Sequence, residues 1–229
     1  MFKTRLISGI ILVILALIVI ISGGYVTLFS LLGISLVGMF ELYRVFQLEK
    51  TPLAMISYAM AVLFYLGQLL PVAVDPMMLV MFFLILLMFV YVFTYPKYEA
   101  KDVMAIFFGM FYVSVMLSYV YQIRVLENGL YLAFLIFICS WGCDTCAYCV
   151  GKLIGKHKMA PILSPKKSIE GAVGGVVFCA LAAVLYGFIL KTFIGEINSV
   201  SYFALALIGA VIAVISQIGD LIMSHIKRK

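Results

Sequence analysis

Charged side chains are scarce in this sequence. Only 11% of its 229 residues are charged, whereas 66% are hydrophobic, and a soluble globular domain carries roughly 25% charged residues. Too little polar surface is present to cover a water-soluble globule, which excludes an ordinary cytosolic enzyme, a secreted disulfide scaffold and a disordered protein. Because one crossing of a bilayer takes about 20 helical residues, the chain has room for several crossings.

Cysteine and histidine are also few, with five and two residues. Five cysteines in a chain of membrane helices do not form a disulfide framework. Cys139, Cys143 and Cys146 have the spacing of an iron–sulfur loop, but on a helix they are small apolar residues at i, i+4 and i+7. His157 and His225 are isolated in sequence, and we interpret each as a loop histidine near lipid headgroups.

Long apolar stretches predict an all-α, polytopic membrane helix bundle of about eight transmembrane helices. Strands are not expected, because the stretches are too long and lack the alternation of a membrane barrel. Turn signals such as Asp75-Pro76 separate the stretches. The predicted spans are Leu6–Ile21, Tyr25–Phe40, Pro52–Leu70, Pro76–Tyr95, Val103–Ile123, Gly129–Val150, Gly171–Leu190 and Asn198–Gly219.

Lysine and arginine are distributed unevenly between the two predicted membrane faces. If the N-terminus is cytoplasmic, every basic residue except Arg124 and Lys191 falls on the cytoplasmic side, as the positive-inside rule requires. A net charge of +6 would suggest nucleic acid as the partner of a soluble protein, but for membrane helices we expect no nucleic-acid partner. We predict one membrane-embedded domain over 1–229, with a basic cytoplasmic loop at 151–170 and an uncleaved first helix.

Three carboxylates accompany the lysines on the predicted cytoplasmic face. Asp144 lies near the end of the sixth span, Glu170 opens the seventh and Asp220 ends the eighth. Carboxylate oxygens suit Mg²⁺ and lysines suit phosphate, so this face is a candidate site for a metal and a polyphosphate. The alternative is that these groups only mark helix ends in the headgroup zone. That alternative is stronger for Glu170 than for Asp144, which interrupts an apolar stretch.

The segment 164–171 reads Ser-Pro-Lys-Lys-Ser-Ile-Glu-Gly. Ser-Pro and Ser168 are helix-start residues, and a helix beginning here would aim its free N–H groups at the basic loop, where phosphate can bind. Gly171, Gly174 and Gly175 allow a ligand or a neighbouring helix to approach the backbone, and helix packing alone is the alternative. The nearby glycines and Lys156 do not form a P-loop, because the spacing is wrong.

Four motifs follow one another in the second half of the chain. They are Trp141–Tyr148, Gly151–Lys158, Ser164–Gly171 and Ser216–Leu221. Together with the opening Lys3–Ser8, they resemble the CDP-diacylglycerol synthase (phosphatidate cytidylyltransferase) family nearly end to end. Ser224-His-Ile-Lys-Arg also fits the start of the family signature. That signature should continue into His-Gly-Gly, Asp-Arg-x-Asp and a last helix, so the sequence is expected to be truncated at its C-terminus.

The resemblance implies a nucleotidyl transfer in which CTP and phosphatidic acid give CDP-diacylglycerol and pyrophosphate. It implies Mg²⁺ as cofactor, the lipid bilayer as a further partner, and an integral protein of the bacterial inner membrane with a cytoplasmic active face. It leaves a homodimer open. The implied catalytic residues are Asp144, Lys166, Lys167 and Asp220, with Asp220 and Asp144 as metal ligands. The implied substrate-binding residues are Lys152, Lys156, Ser164, Ser168, Glu170, Gly171, Lys227 and Arg228.

Three other functions stay open at this point. A transporter or channel also uses intramembrane carboxylates and glycine-rich helices, but it should place ionisable groups near the bilayer midplane, whereas here they gather at one face. A CTP-dependent lipid kinase of the polyprenol type would share the nucleotide and transfer its γ-phosphate. An inactive truncated homologue is the third.

Overall fold

The computed structural model describes residues 2–69, 75–161, 164–193 and 201–226. This part of the chain is helical apart from one short antiparallel hairpin. A π-helical segment, Met110–Val115, joins α5 to α6 in one continuous helix. The helices are α1 (Phe2–Ser22), α2 (Gly24–Val45), α3 (Pro52–Gly67), α4 (Pro76–Thr94), α5 (Ala100–Gly109), α6 (Met116–Val125), α7 (Gly129–Ile154), α8 (Ile169–Phe193) and α9 (Tyr202–Ile226), and the strands are β1 (Lys158–Ala160) and β2 (Ser164–Ser168).

The helices confirm a polytopic all-α membrane bundle. Within the described ranges, six helices are long and apolar enough to cross a membrane: Gly24–Val45, Pro76–Thr94, Ala100–Val125, Gly129–Ile154, Ile169–Phe193 and Tyr202–Ser224. Two further apolar helices, Gly9–Ser22 and Pro52–Gly67, are shorter. Length and composition therefore support six of the roughly eight predicted crossings. The protein is an integral membrane protein.

Polar caps explain where two of the helices begin. Thr51 accepts a hydrogen bond from the Ala54 N–H at 3.3 Å, directly before Pro52 at the first position of α3. Asp75 accepts one from the Met77 N–H at 2.9 Å, directly before Pro76 in α4. A side-chain acceptor followed by proline is a strong helix start, because proline lacks the N–H that would otherwise be left unpaired.

The region predicted as the loop 151–170 is more ordered than the sequence indicated. Helix α7 continues to Ile154, and α8 already begins at Ile169. Between them β1 and β2 pair, with Lys158 opposite Ser168. These two short strands lie in the predicted loop, outside the apolar stretches for which strands were not expected. The Ser-Pro pair at 164–165 lies in β2 and does not start a helix, whereas Ser168 directly precedes α8 as predicted.

The chain divides into two compact units, Met1–Leu130 and Tyr131–Lys229. The single membrane-embedded domain over 1–229 stays a prediction.

In the first unit, two buried tyrosines join the helices through hydrogen bonds. The Tyr43 hydroxyl donates to the Ile106 carbonyl at 2.8 Å and lies 2.7 Å from the Ser57 hydroxyl. The Tyr65 hydroxyl lies 2.8 Å from that of Ser35. Such hydrogen bonds satisfy polar groups for which lipid tails offer no partner.

The second unit packs α7, α8 and α9 through small residues. The Cys179 thiol donates to the Cys139 carbonyl at 3.0 Å, and the Cys139 thiol donates to the Cys179 carbonyl at 3.9 Å. A Cβ atom on Gly209 would lie 2.5 Å from the Cys179 carbonyl oxygen, so α8 and α9 touch at the backbone. Close approach through small residues is the usual way in which membrane helices associate. The interpretation of the cysteines on α7 as small apolar residues fits this packing, and the cysteines are free thiols.

Candidate functional site

Helices α7 and α8 meet at two glycines. A Cβ atom on Gly171 would lie 2.5 Å from the Ala147 carbonyl oxygen and 3.1 Å from the Gly151 Cα. The shorter of these distances is one that real Cβ atoms essentially never show. Ser168 is 6% exposed and caps α8, since its hydroxyl accepts a hydrogen bond from the Gly171 N–H at 3.2 Å. This contact fixes how the start of α8 approaches α7.

Beside this contact lies a cavity of about 560 Å³ within the second unit. It is bounded by α7, α8, α9 and the β1–β2 hairpin. Its lining residues are Asp144, Ala147, Tyr148, Gly151, Lys152, Lys158, Met159, Pro165, Lys167, Ser168, Gly171, Ala172, Gln217 and Asp220. The cavity thus combines carboxylates with several lysines, and its small side chains leave backbone open to a ligand.

The two aspartates belong to one electrostatic cluster. The Lys167 ammonium group lies 2.6 Å from an Asp220 carboxylate oxygen, which joins β2 to the end of α9. Asp144, from α7, lies close enough to interact electrostatically with both Asp220 and Lys167. Residues far apart in sequence therefore meet at one place, as the positions of the predicted spans suggested.

Gln217 has a fixed orientation at the cavity. Its side chain is 7% exposed, and its amide nitrogen donates to the Ala172 carbonyl at 3.0 Å and to the Cys143 sulfur at 3.3 Å. Cys143 in turn donates its thiol hydrogen to the Ala213 carbonyl. A flipped amide would set two carbonyl oxygens against each other, so the nitrogen must face α8.

Glu170 lies outside the set of cavity-lining residues. Its carboxylate accepts hydrogen bonds from the His157 N–H at 3.1 and 3.2 Å, and the His157 ring nitrogen Nδ1 lies 2.6 Å away. Its neighbours on the other face of α8 are apolar, and they form a groove with Val150 of α7. Glu170 therefore joins the start of the hairpin to the start of α8.

Half of the residues proposed from the sequence as a site lie together. The cavity is lined by Asp144, Lys152, Lys167, Ser168, Gly171 and Asp220, and it is not lined by Lys156, Ser164 or Glu170. The Lys166 side chain, Lys227 and Arg228 lie outside what the structure describes. The chemical roles assigned to all of these residues stay predictions.

Gln217, Lys158 and Tyr148 are among the cavity residues that the sequence reasoning did not include in the site. Gln217 lies one helical turn before Asp220, so the i, i+3 spacing on α9 was an available signal. Lys158 was one of several loop lysines, and only the pairing of β1 with β2 separates it from the others. Tyr148 is exposed, and its place at the end of the Trp141–Tyr148 motif was the signal available in the sequence.

The donor set fits a magnesium ion that arrives with a polyphosphate. Across the ranges that the structure describes, no group of three or more His, Cys, Asp or Glu side chains is arranged to hold a metal. Mg²⁺ is usually bound through one or two carboxylates, water and substrate phosphates and seldom by an all-protein cage. Two aspartates beside lysines in one cavity match that pattern.

We expect Ser168→Ala to lower the free energy of unfolding by roughly 1 kcal/mol, because α8 loses its N-terminal cap. For a chain of this length that corresponds to a melting temperature lower by about 2–4 °C. The measurement is thermal unfolding of the purified protein in detergent.

Ser224→Ala is the matched control for this change. The Ser224 hydroxyl donates to the Asp220 carbonyl of its own helix at 2.7 Å and caps nothing, and such bonds stabilise a helix little. Equal melting temperatures for the two variants would contradict the capping role of Ser168.

Comparison with known proteins identifies the family. The model of the cytidylyltransferase family matches residues 3–229. The chain is 28% identical to the phosphatidate cytidylyltransferase of Bacillus subtilis over 99% of its own length and 84% of that protein. It is 26% identical to the enzyme of that name from Staphylococcus epidermidis over 99% of this chain and 85% of the relative.

A shorter alignment has higher identity. The phosphatidate cytidylyltransferase of Staphylococcus saprophyticus is 33% identical over 132 residues, which cover 58% of this chain and 48% of that protein. This alignment therefore spans about half the length of the relative. The match of the family model over nearly the whole chain shows that the protein belongs to the cytidylyltransferase family.

Proposed function

We propose that this protein transfers the cytidylyl group of CTP to phosphatidic acid and so makes CDP-diacylglycerol for phospholipid biosynthesis. Family membership and the name shared by the relatives support this reaction. The single observation that carries it is the joint cavity, where Asp144 and Asp220 line the same space as Lys152, Lys158 and Lys167.

The reaction is a displacement at phosphorus. A phosphate oxygen of phosphatidic acid forms a bond to the α-phosphorus of CTP, and the bond from that phosphorus to the bridging oxygen of the β-phosphate breaks. Pyrophosphate leaves with the electron pair. Because both reactants are anions, the protein must neutralise charge and hold the reacting atoms together.

The lysines of the cavity supply that neutralisation. Lys152 comes from α7, Lys158 from β1 and Lys167 from β2, so they approach the cavity from different elements and can donate to different phosphate oxygens. Lys167 already holds the Asp220 carboxylate at 2.6 Å, and this contact keeps both side chains extended toward the cavity. The cap at Ser168 fixes the end of β2 against α8.

Asp220 and Asp144 would hold the magnesium ion. When bound, Mg²⁺ supplies Lewis-acid neutralisation of the phosphate oxygens. Asp220 accepts a charged hydrogen bond from Lys167, which orients its carboxylate. Gln217 packs between α8 and Cys143, the neighbour of Asp144 in α7, and so holds the part of the helix that carries this aspartate.

The orientation of the protein belongs to the same proposal. The positive-inside distribution supports a cytoplasmic active face, where CTP is available. The bacterial relatives are consistent with a bacterial inner membrane. The homodimer stays a prediction.

The test is product analysis with the purified full chain in lipid nanodiscs containing phosphatidic acid. The protein receives CTP and MgCl₂, and the lipid and nucleotide products are separated by mass spectrometry. We expect CDP-diacylglycerol and pyrophosphate in equal amounts, and EDTA should abolish both.

Other outcomes would overturn the proposal. CDP together with a phosphorylated lipid would indicate a CTP-dependent lipid kinase. Absence of nucleotide turnover would contradict the proposed reaction and favour a transporter or channel.

A further inference from the structure

His157 is held at both of its backbone groups by the start of α8. Its N–H donates to both carboxylate oxygens of Glu170, at 3.1 and 3.2 Å. Its carbonyl accepts a hydrogen bond from the Ile169 N–H at 2.9 Å. The ring nitrogen Nδ1 lies 2.6 Å from Glu170 Oε1, and next to a carboxylate this nitrogen carries the proton.

This contact fixes the position of the hairpin. His157 directly precedes β1, and Lys158 pairs with Ser168. The hairpin contributes Lys158, Met159, Pro165, Lys167 and Ser168 to the wall of the cavity. A two-stranded hairpin is marginally stable by itself, so the position of this one depends on its contacts with the helices, which include the Glu170–His157 contact at one end and the Lys167–Asp220 ion pair.

Glu170 is poorly placed to touch the ligand itself. Its side chain does not line the cavity and is 24% exposed beside apolar residues on the opposite face of α8. An additional carboxylate would also repel the phosphates of CTP. The side-chain hydrogen bonds of Glu170 go to His157, so an effect of Glu170 on the cavity would pass through that residue.

We propose that Glu170 is a positioning residue for CTP binding, which anchors His157 and thereby sets the places of Lys158 and Lys167 in the cavity. The proposal rests on the proposed function for its ligand. It differs from the expectation that Glu170 binds substrate directly, because the decisive group is an acceptor for a backbone N–H and not a charge facing the ligand.

Two substitutions separate these roles. Glu170→Ala removes every acceptor for His157, and we expect the KM for CTP to rise about tenfold, the usual size of a lost hydrogen bond to a charged group, with a smaller change in kcat. Glu170→Gln keeps a carbonyl oxygen for the His157 N–H, and its KM should stay within about threefold of wild type. A Gln variant as impaired as the Ala variant would overturn the proposal.

Hydrogen exchange of the ligand-free protein gives a readout that does not depend on turnover. Glu170→Ala should accelerate amide exchange in residues 156–161 and 164–168 while α9 keeps its wild-type protection. Unchanged exchange in the hairpin would overturn the anchoring role. If the wild-type protein formed no CDP-diacylglycerol, the proposed function would fail, and the exchange comparison would still decide whether Glu170 holds the hairpin.

Glu99→Ala is the matched control. Glu99 also lies at the start of a helix, directly before α5, and its carboxylate pairs with a cation, the Lys101 ammonium group at 2.9 Å. We expect this variant to keep the wild-type KM for CTP and the wild-type exchange of the hairpin. A rise in KM equal to that of Glu170→Ala would show a general loss of stability and overturn the specific role.

Discussion

Asp220→Asn is expected to reduce CDP-diacylglycerol formation by about 10²–10³-fold, the loss typical when one electrostatic contact to a transition state is removed. The substitution keeps the size of the side chain but removes the charge that pairs with Lys167 at 2.6 Å. An amide is also a weak partner for Mg²⁺ compared with a carboxylate. The measurement is the initial rate of product formation in nanodiscs, with CTP and MgCl₂ both saturating for the wild type.

A second measurement separates metal binding from folding. Mg²⁺ added with CTP should raise the melting temperature of the wild type, because a ligand that binds the native state stabilises it, and it should not raise that of Asp220→Asn. Glu127→Gln, which neutralises an exposed carboxylate in the connection between α6 and α7, should behave as wild type in both assays. An Asp220→Asn variant with more than about half of the wild-type rate would refute the metal role, because the Lewis-acid action of a bound metal ion is worth several kcal/mol.

Gly171→Val is expected to have the second large effect, on both stability and activity. The first atom of any side chain at this position would lie 2.5 Å from the Ala147 carbonyl oxygen, so α7 and α8 must separate. Overpacking of this kind costs about 1–3 kcal/mol. A displacement of about 1 Å between Asp144 and Lys167 is enough to reduce turnover by roughly 10²-fold.

Gly33→Val provides the control, because a Cβ atom on Gly33 of α2 has no neighbour within 4 Å. Both variants replace a helical glycine by the same β-branched residue, so the helix propensity changes alike. Thermal unfolding in detergent and the rate of CDP-diacylglycerol formation should both distinguish them. Equal melting temperatures and equal rates would contradict the importance of the Gly151–Gly171 contact.

The membrane helices were predictable because their signals are local. Apolar stretches of nearly bilayer length alternate with capping pairs such as Thr51-Pro52 and Asp75-Pro76, and the structure begins α3 and α4 at those prolines. The proximity of Asp144 and Asp220 was also predictable, since both lie near the same predicted membrane face. That inference needs only the number of crossings between them and no knowledge of side-chain packing.

The hairpin was not predictable in the same way. Its strands have three and five residues, carry several lysines and lack the alternation of apolar residues that marks a strand. They are held by contacts with α8 and α9, among them those of Glu170 with His157 and of Asp220 with Lys167. Such contacts cannot be read from local propensity. The family resemblance implied that Glu170 binds substrate, whereas its hydrogen bonds to His157 could not be read from the sequence.

The orientation of Gln217 shows a second limit. That Gln217 lies near Asp220 follows from helical spacing. Its hydrogen-bond partners Ala172 and Cys143, however, belong to two other helices. A glycine at position 175 makes room for it, since a Cβ atom there would lie 3.1 Å from the Gln217 amide nitrogen. Interlocking of three helices at one amide depends on rotation of each helix about its axis, which the sequence does not fix.

The backbone contact between Gly151 and Gly171 also determines which side of the cavity is rigid. Because α7 and α8 touch here without intervening side chains, no rotamer change can separate them, and this side of the cavity is rigid. Another wall of the cavity is the β1–β2 hairpin, whose strands have only three and five residues. If the cavity binds a nucleotide as proposed, movement of the hairpin would open the cavity while the contact between Gly151 and Gly171 stays in place.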